Sequence, residues 1–153
     1  LPGYNLRPLE MSGAIGVQQL RKLPTFIAER RKNAELFQSL FGNLPHLRLQ
    51  SEHGESSWFG FSIILEGPLR GSRSALAKVL KAERIDCRPI VAGNFTKNPV
   101  MEHLPHAPIP NTPVADEIHE HGLFLGNHHY DLSNQLKRAF SVLETFITEV
   151  LEK

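Results

Sequence analysis

The stretch from residue 3 to residue 20 constrains the fold most, because a short polar turn passes directly into a helix of small residues. Pro8 suits the first position of a helix, where its missing N–H would have no partner. Small residues dominate the next turns: Ser12, Gly13, Ala14 and Gly16. Each glycine costs an exposed helix about 1 kcal/mol relative to alanine, which is reasonable where another backbone approaches closely. The stretch therefore predicts a close-packed helix that presents Asn5 and Arg7 at its N-terminal end.

Composition favours one ordinary globular domain. The chain has 153 residues, of which 41% are hydrophobic and 22% are charged, and its net charge of +1 indicates neither a nucleic-acid nor a membrane surface. A single cysteine, Cys87, excludes an intrachain disulfide and fits a reducing compartment such as the cytoplasm. The chain begins with Leu1 rather than Met, which suggests a fragment or a processed product.

Two N-terminal helices are expected before any strand. The first runs from Leu9 to about Leu23, and Pro24 predicts a break before a second helix over residues 25–41. The apolar residues of the second helix recur at helical spacing. Its charged run, residues 29–32, predicts a solvated face.

The rest of the chain alternates strand and helix patterns. Strands are expected over residues 57–65, 85–91 and 122–127, and helices over 72–82, 112–121 and from Ser133 onward. Residues 46–55 read as polar and turn-rich, and residues 92–113 as a long irregular segment with five prolines. The sequence therefore predicts an α/β domain in which about three strands are covered by helices.

One candidate binding segment follows the second expected strand. Arg88 ends that strand, and a Gly93-Asn94 turn with Thr96 and Lys97 comes next. Such a group of donors binds phosphate or sugar hydroxyls through charge-assisted hydrogen bonds. An ordinary Gly-Asn turn with solvated charges is the alternative.

The histidines and the cysteine offer weaker candidates. His119, His121, His128 and His129 lie close in sequence and are potential zinc ligands. No carboxylate or thiol stands at a recognised ligand spacing from them, so we predict surface histidines and no metal site. Cys87 within a strand is expected to be a small packed residue rather than a nucleophile.

Two motifs resemble one enzyme family. Gly-Tyr-Asn-x-Arg at residues 3–7, the small-residue helix and Gln-x-Leu at 18–20 resemble the DegT/DnrJ/EryC1/StrS family of sugar-nucleotide enzymes, of fold type I. Ala-Gly-Asn-x-Thr-Lys-x-Pro at 92–99 and Trp-Phe-Gly-Phe at 58–61 resemble its 3-dehydratase branch. The resemblance implies linking helices over residues 1–42, from a large cofactor domain that this chain lacks, and a small C-terminal domain over 43–153.

The resemblance also implies a function and a set of site residues. It implies pyridoxal or pyridoxamine phosphate as cofactor and a nucleotide-activated 4-keto-6-deoxy sugar as substrate, converted to a 3,6-dideoxy sugar for lipopolysaccharide. Asn5 would contact the cofactor phosphate of the partner subunit in a homodimer, and Arg7, Arg88 and Asn94 would face the substrate. A reductase would act as a further partner.

Two other functions stay open at this point. One is a sugar-nucleotide 4-aminotransferase of the same family, and the other is a non-catalytic dimerisation domain. The catalytic position of the family lies in the large domain, so no catalytic residue is assigned in this chain. We expect the isolated 153-residue chain to be inactive.

Overall fold

A computed structural model describes residues 9–152. Within that range the helices are α1 (Glu10–Phe41), α2 (Arg73–Ala82), α3 (Pro113–His121) and α4 (Ser133–Leu151). The strands are β1 (Leu47–Leu49), β2 (Gly60–Leu65), β3 (Cys87–Arg88) and β4 (Gly122–Gly126). Short 3₁₀ turns at Gly67–Leu69, Phe95–Lys97 and Pro99–His103 occupy the connections. None of the described helices has an apolar stretch long enough to cross a bilayer.

The strands form one antiparallel sheet in the order β1-β2-β4-β3. It has four strands rather than about three, because Leu47–Leu49 pairs with the end of β2 in a segment expected to be polar and turn-rich. Three residues are too few to show the alternation that marks a strand. At the other edge, β3 is shorter than expected, since Pro89 has no N–H to donate to a ladder.

The core lies between the inner face of the sheet and helices α1, α2 and α4. Phe61, Ile63 and Leu65 alternate inward along β2 and are fully buried. The Phe37 ring of α1 stacks between Phe41 at 4.6 Å and Phe61 at 4.4 Å, measured between ring centroids. Helix α3 contacts β2 and β4 on the outer side, where it covers one end of the sheet. The other end of the outer face stays open.

The break expected at Pro24 is wrong, because α1 continues through that residue as one helix of 32 residues. Proline removes one backbone hydrogen bond, but residues 20–24 are exposed and water can satisfy the freed carbonyl. Residues 10–25 of this helix are all exposed. The described residues place nothing within 4 Å of a Cβ built at Gly13 or Gly16. The predicted close packing of this stretch is therefore not made by the part of the chain described.

The charged run on α1 is not simply solvated, as was expected. The Arg30 guanidinium donates to the carbonyl of Trp58 at 2.7 Å and to that of Ser57 at 3.0 Å. Arg31 donates to the carbonyls of Glu55 at 2.7 Å and Ser56 at 3.0 Å. These neighbouring arginines satisfy loop carbonyls that no strand partner reaches. They fix the segment that leads into β2.

Candidate functional site

The open end of the outer sheet face contains two paired glycines. The register pairs Gly60 of β2 with Gly126 of β4, and Phe124 of β4 with Arg88 of β3. The Phe124 ring lies over Gly60, where a Cβ would overlap it. No atom of the described chain lies within 4 Å of a Cβ built at Gly126. The Phe124 ring therefore covers Gly60, which is buried, whereas Gly126 is exposed.

Four side chains line a groove of about 330 Å³ at this end of the sheet: Phe59, Arg88, Val91 and Phe124. We call it the Phe124 groove. Phe59 is 75% exposed and Val91 is 90% exposed. The Phe59 and Phe124 ring centroids are 5.7 Å apart, and the guanidinium carbon of Arg88 lies 5.3 Å from the Phe124 centroid. The described residues give Arg88 no ion pair within 4.0 Å.

The groove rim contains a strained backbone position. Val91 has φ +49°, a left-handed conformation that a β-branched side chain adopts rarely. The Gly93 N–H donates to the Ile90 carbonyl at 2.9 Å and closes the turn around Val91. Gly93 itself has φ +62°, and a Cβ there would overlap the His119 ring. The turn is thus held in place with Val91 facing outward.

Asn94 holds the loop that carries this turn. Its side-chain amide donates to Thr112 Oγ1 at 2.9 Å and to Asp116 Oδ1 at 2.8 Å. Its Oδ1 accepts from the Thr96 N–H at 3.0 Å and the Thr96 hydroxyl at 2.7 Å. Asn94 is buried, and these bonds occupy its amide. Its substrate contact stays a prediction, and the role that the geometry gives it is to position the loop.

Lys97 is engaged with helix α3 rather than free for a phosphate. Its ammonium lies 2.8 Å from Asp116 Oδ1 and 3.0 Å from Glu120 Oε1. The hydrogen bond to Asp116 is the main reason that the pKa of Lys97 is raised. The same ammonium lowers the pKa of Asp116, helped by the Asn94 amide, and lowers the pKa of Glu120. The pairs tie residues 94–97 to α3.

This tie predicts an acid-sensitive loop. A carboxyl group whose pKa is lowered in the folded state stabilises the fold at pH values above its ordinary pKa, which is 3.8 for Asp116. That stabilisation is lost as the pH falls through the lowered pKa of the folded state. We expect wild type to melt at a higher temperature than Asp116→Asn at neutral pH. The gap should narrow as the pH falls below 3.8. Thermal unfolding of both proteins, recorded from neutral pH to below 3.8, measures the difference in melting temperature.

The control is Glu102→Gln, a charge removal at an exposed residue of the same loop. It should leave the pH profile of the melting temperature unchanged. Parallel profiles for wild type and Asp116→Asn would contradict the ion-pair account.

The histidines separate into two unrelated settings. His119 Nδ1 accepts the Asn94 N–H at 3.2 Å, and His121 Nδ1 accepts the Gly71 N–H at 3.3 Å. The His128 ring packs at a tilt against Tyr130, with ring centroids 4.1 Å apart, and the His129 ring packs at a tilt against Phe26, with centroids 4.0 Å apart. Between residues 9 and 152, no group of three or more His, Cys, Asp or Glu side chains is arranged to hold a metal ion.

Cys87 packs at the edge of the core on strand β3. Burial is the main cause of its raised pKa, and the Asp86 carboxylate raises it further. A thiol with a raised pKa stays protonated and is a poor nucleophile. The structure thus gives Cys87 a packing role.

A buried amide pair that the sequence did not reveal joins α1 to the end of β4. Asn33 of α1 donates to Asn127 Oδ1 at 3.2 Å and to the carbonyls of His128 at 3.1 Å and Tyr130 at 2.8 Å. Asn127 donates to the carbonyls of Arg30 and Trp58, each at 3.0 Å. The pair joins α1, the end of β4 and the entry to β2. One signal in the sequence could have indicated it. Asn33 lies four residues before Phe37 and therefore on the same, buried face of α1.

The predicted site residues divide by position. Arg88 lines the Phe124 groove, and Asn94 lies in the loop beside it. Asn5 and Arg7 fall outside the described residues, so the structure does not show where they lie relative to the groove. Their roles stay predictions.

Sequence comparison decides the family. The profile of the DegT/DnrJ/EryC1/StrS aminotransferase family matches residues 1–143. The chain belongs to this family. The resemblance seen at residues 3–20 and 92–99 is confirmed.

Relatives within the DegT/DnrJ/EryC1/StrS family are similar along almost the whole chain. GDP-4-keto-6-deoxy-D-mannose 3-dehydratase of Yersinia pseudotuberculosis is 52% identical over 145 residues, which is 94% of this chain and 37% of that protein. The solved E. coli GDP-4-keto-6-deoxy-D-mannose-3-dehydratase with bound hydrated PLP is 49% identical, with a TM-score of 0.86, and the match covers 94% of this chain and 37% of that one.

A solved variant of GDP-4-keto-6-deoxymannose-3-dehydratase with bound GDP-perosamine is 48% identical, with a TM-score of 0.86 and the same coverage. The chain thus spans 37% of the length of the curated relative from Yersinia. The structural match confirms the expected fold, a small-domain piece of a fold type I enzyme.

Proposed function

We propose that this chain is the C-terminal part of a sugar-nucleotide 3-dehydratase that makes 3,6-dideoxy sugars for lipopolysaccharide. The observation that carries the proposal is the identity of 52% to a GDP-4-keto-6-deoxy-D-mannose 3-dehydratase over 94% of the chain. The substrate in this proposal is a GDP-linked 4-keto-6-deoxy sugar.

The open sheet face supports a substrate role for this domain. Arg88 presents a guanidinium with no ion-pair partner among residues 9–152, next to exposed apolar side chains. A guanidinium binds phosphate oxygens in a bidentate manner. Asn94 supports the same site indirectly, by holding the turn that carries Val91.

The cofactor contact in the proposal comes from the N-terminal segment. Asn5 would donate to the phosphate of pyridoxal or pyridoxamine phosphate in the partner subunit's site, since a neutral amide binds phosphate without adding charge. Arg7 would face the substrate at the same shared site, so the working protein would be a homodimer. When bound, the cofactor supplies an electron sink for breaking the sugar's C3–O bond. A cytoplasmic location and a reductase that takes the product complete the proposal.

Reductive trapping of the cofactor tests the proposal against the aminotransferase alternative. The full-length protein is incubated with pyridoxal phosphate and treated with borohydride, and its intact mass is measured by mass spectrometry. We expect reversible binding with no covalent adduct, because the dehydratase branch that this chain resembles lacks the lysine that would form one.

An aminotransferase of fold type I, treated in parallel, provides the positive control. A stoichiometric adduct on the full-length protein would show that the lysine is present. That result would displace the dehydratase in favour of a 4-aminotransferase.

A further inference from the structure

His119 of α3 accepts a hydrogen bond from the backbone of the loop that forms the rim of the Phe124 groove. Its Nδ1 lies 3.2 Å from the Asn94 nitrogen and accepts that N–H. Gly93 leaves room for the ring, because a Cβ at that position would overlap it. The Gly93 N–H donates to the Ile90 carbonyl and closes the turn that holds Val91 at the rim. The imidazole therefore holds this turn against α3.

The hydrogen bond from the Asn94 N–H requires a neutral imidazole. A neutral ring has one nitrogen that accepts and one that donates, whereas both nitrogens of the imidazolium ion donate. Protonation of His119 would set its own Nδ1–H against the Asn94 N–H. Turning the ring over would not help, because the cation has no acceptor. Histidine is the side chain whose charge ordinarily changes between about pH 5 and 8.

We propose that neutral His119 is the positioning residue of this turn, and that its protonation releases residues 91–94 from α3. The rim of the Phe124 groove then loosens in mild acid and is fixed again when the proton leaves. This response goes beyond the proposed function and does not depend on it, because the contact lies within this chain.

The carboxylates nearest to His119 keep their charge in mild acid. Asp116 lies one turn earlier on α3, and the hydrogen bond from Lys97 is the main cause of its lowered pKa. The same ammonium lowers the pKa of Glu120. Both carboxylates therefore stay ionised between about pH 5 and 8, where histidine changes charge. The ion pairs of Lys97 persist there, so the change falls on the Asn94 N–H and the turn before it.

The other charged groups around α3 are engaged elsewhere. Arg48 and Arg70 pair with Glu117 at 3.2 Å and 2.7 Å. Strands β2 and β4, which α3 contacts, contain no ionisable side chain. His121 Nδ1 accepts the Gly71 N–H at 3.3 Å, from the segment that precedes α2. The two histidines of this helix thus hold two different segments of the chain.

Hydrogen–deuterium exchange of the full-length protein tests the release, with mass spectrometry of peptides that cover residues 91–94. Protection is corrected for the intrinsic exchange rate at each pH. In wild type it should fall about fivefold between about pH 8 and about pH 5, the effect of losing one net hydrogen bond. His119→Asn places an uncharged amide oxygen near the position of Nδ1, so its protection should not change with pH. His119→Leu removes the acceptor and should give the low protection at both pH values.

The matched control is His121→Asn, which removes a titrating ring from the same helix but from a different contact. It should leave the pH dependence of residues 91–94 as in wild type. Residues 60–65 of β2 are the internal reference, and their protection should not change.

Equal protection of residues 91–94 in wild type at the two pH values would overturn the proposal. So would a His119→Asn protein that keeps the wild-type pH dependence, or an equal loss of protection in β2, since acid would then loosen the whole fold. If the His119 variants do not fold, His121→Asn decides: a pH dependence that it abolishes belongs to His121, and one that it keeps supports His119. No sugar nucleotide enters these measurements, so the proposal can fail while the proposed function stands.

Discussion

Replacing Asn33 with leucine should lower the free energy of unfolding by about 3 kcal/mol or more, because each buried polar group left unpaired costs about 1–3 kcal/mol. Asn33 is 2% exposed and accepts the Leu132 N–H at 3.0 Å in addition to its three donated bonds. Leucine would remove the side-chain amide that bonds this N–H and the carbonyls of His128 and Tyr130, and would leave those groups without that hydrogen-bond partner. Urea unfolding, followed by the fluorescence of Trp58, measures the change, since Trp58 is the single tryptophan and is buried.

The matched control is Asn43→Leu. Asn43 is exposed just after α1 and makes one side-chain bond, 3.3 Å long, to the Ser39 carbonyl. Its replacement should shift the free energy of unfolding by less than about 0.5 kcal/mol. Equal effects of the two leucine variants would show that the buried amide pair does not hold α1 to the end of β4.

Replacing Gly60 with alanine should destabilise the protein by about 1–3 kcal/mol, the usual range for overpacking a tight site. A Cβ at Gly60 would lie 2.6 Å from the Leu125 carbonyl oxygen and would overlap the Phe124 ring. The carbonyl belongs to the neighbouring strand, so relief requires a shift of the sheet as well as of the ring. The same urea titration gives the free energy.

The cross-strand partner of Gly60 supplies the control. Gly126 is exposed, and nothing in residues 9–152 lies within 4 Å of a Cβ there. Gly126→Ala should change the free energy of unfolding by less than about 0.5 kcal/mol. If Gly126→Ala lowers the free energy of unfolding as much as Gly60→Ala does, glycine is needed for the backbone conformation and not to make room for the Phe124 ring.

Local patterns predicted the elements that are long or strongly periodic. Helix α2 begins one residue from the expected start, and β4 ends one residue from the expected end. The continuous α1 was missed because proline is a helix breaker by propensity, although an exposed helix position tolerates it. Strand β1 was missed because three residues carry no period.

The sequence predicted site residues only where they lie together in one short segment. Arg88 and Asn94 came from a local motif, and the structure separates them into a groove residue and a loop anchor. Phe59, Val91 and Phe124 meet in the Phe124 groove because of how the strands pair in the sheet. The sequence alone does not reveal that pairing. The Asn33–Asn127 bond likewise joins residues 94 positions apart.

The central claim is that the full-length protein removes a sugar hydroxyl rather than installing an amine, and analysis of its product tests that claim most directly. The protein is incubated with pyridoxamine phosphate and GDP-4-keto-6-deoxymannose, and the sugar nucleotide is examined by mass spectrometry and NMR. The account predicts loss of the 3-hydroxyl with the 4-keto group retained. A product that carries an amine at C4 and keeps its 3-hydroxyl would contradict it.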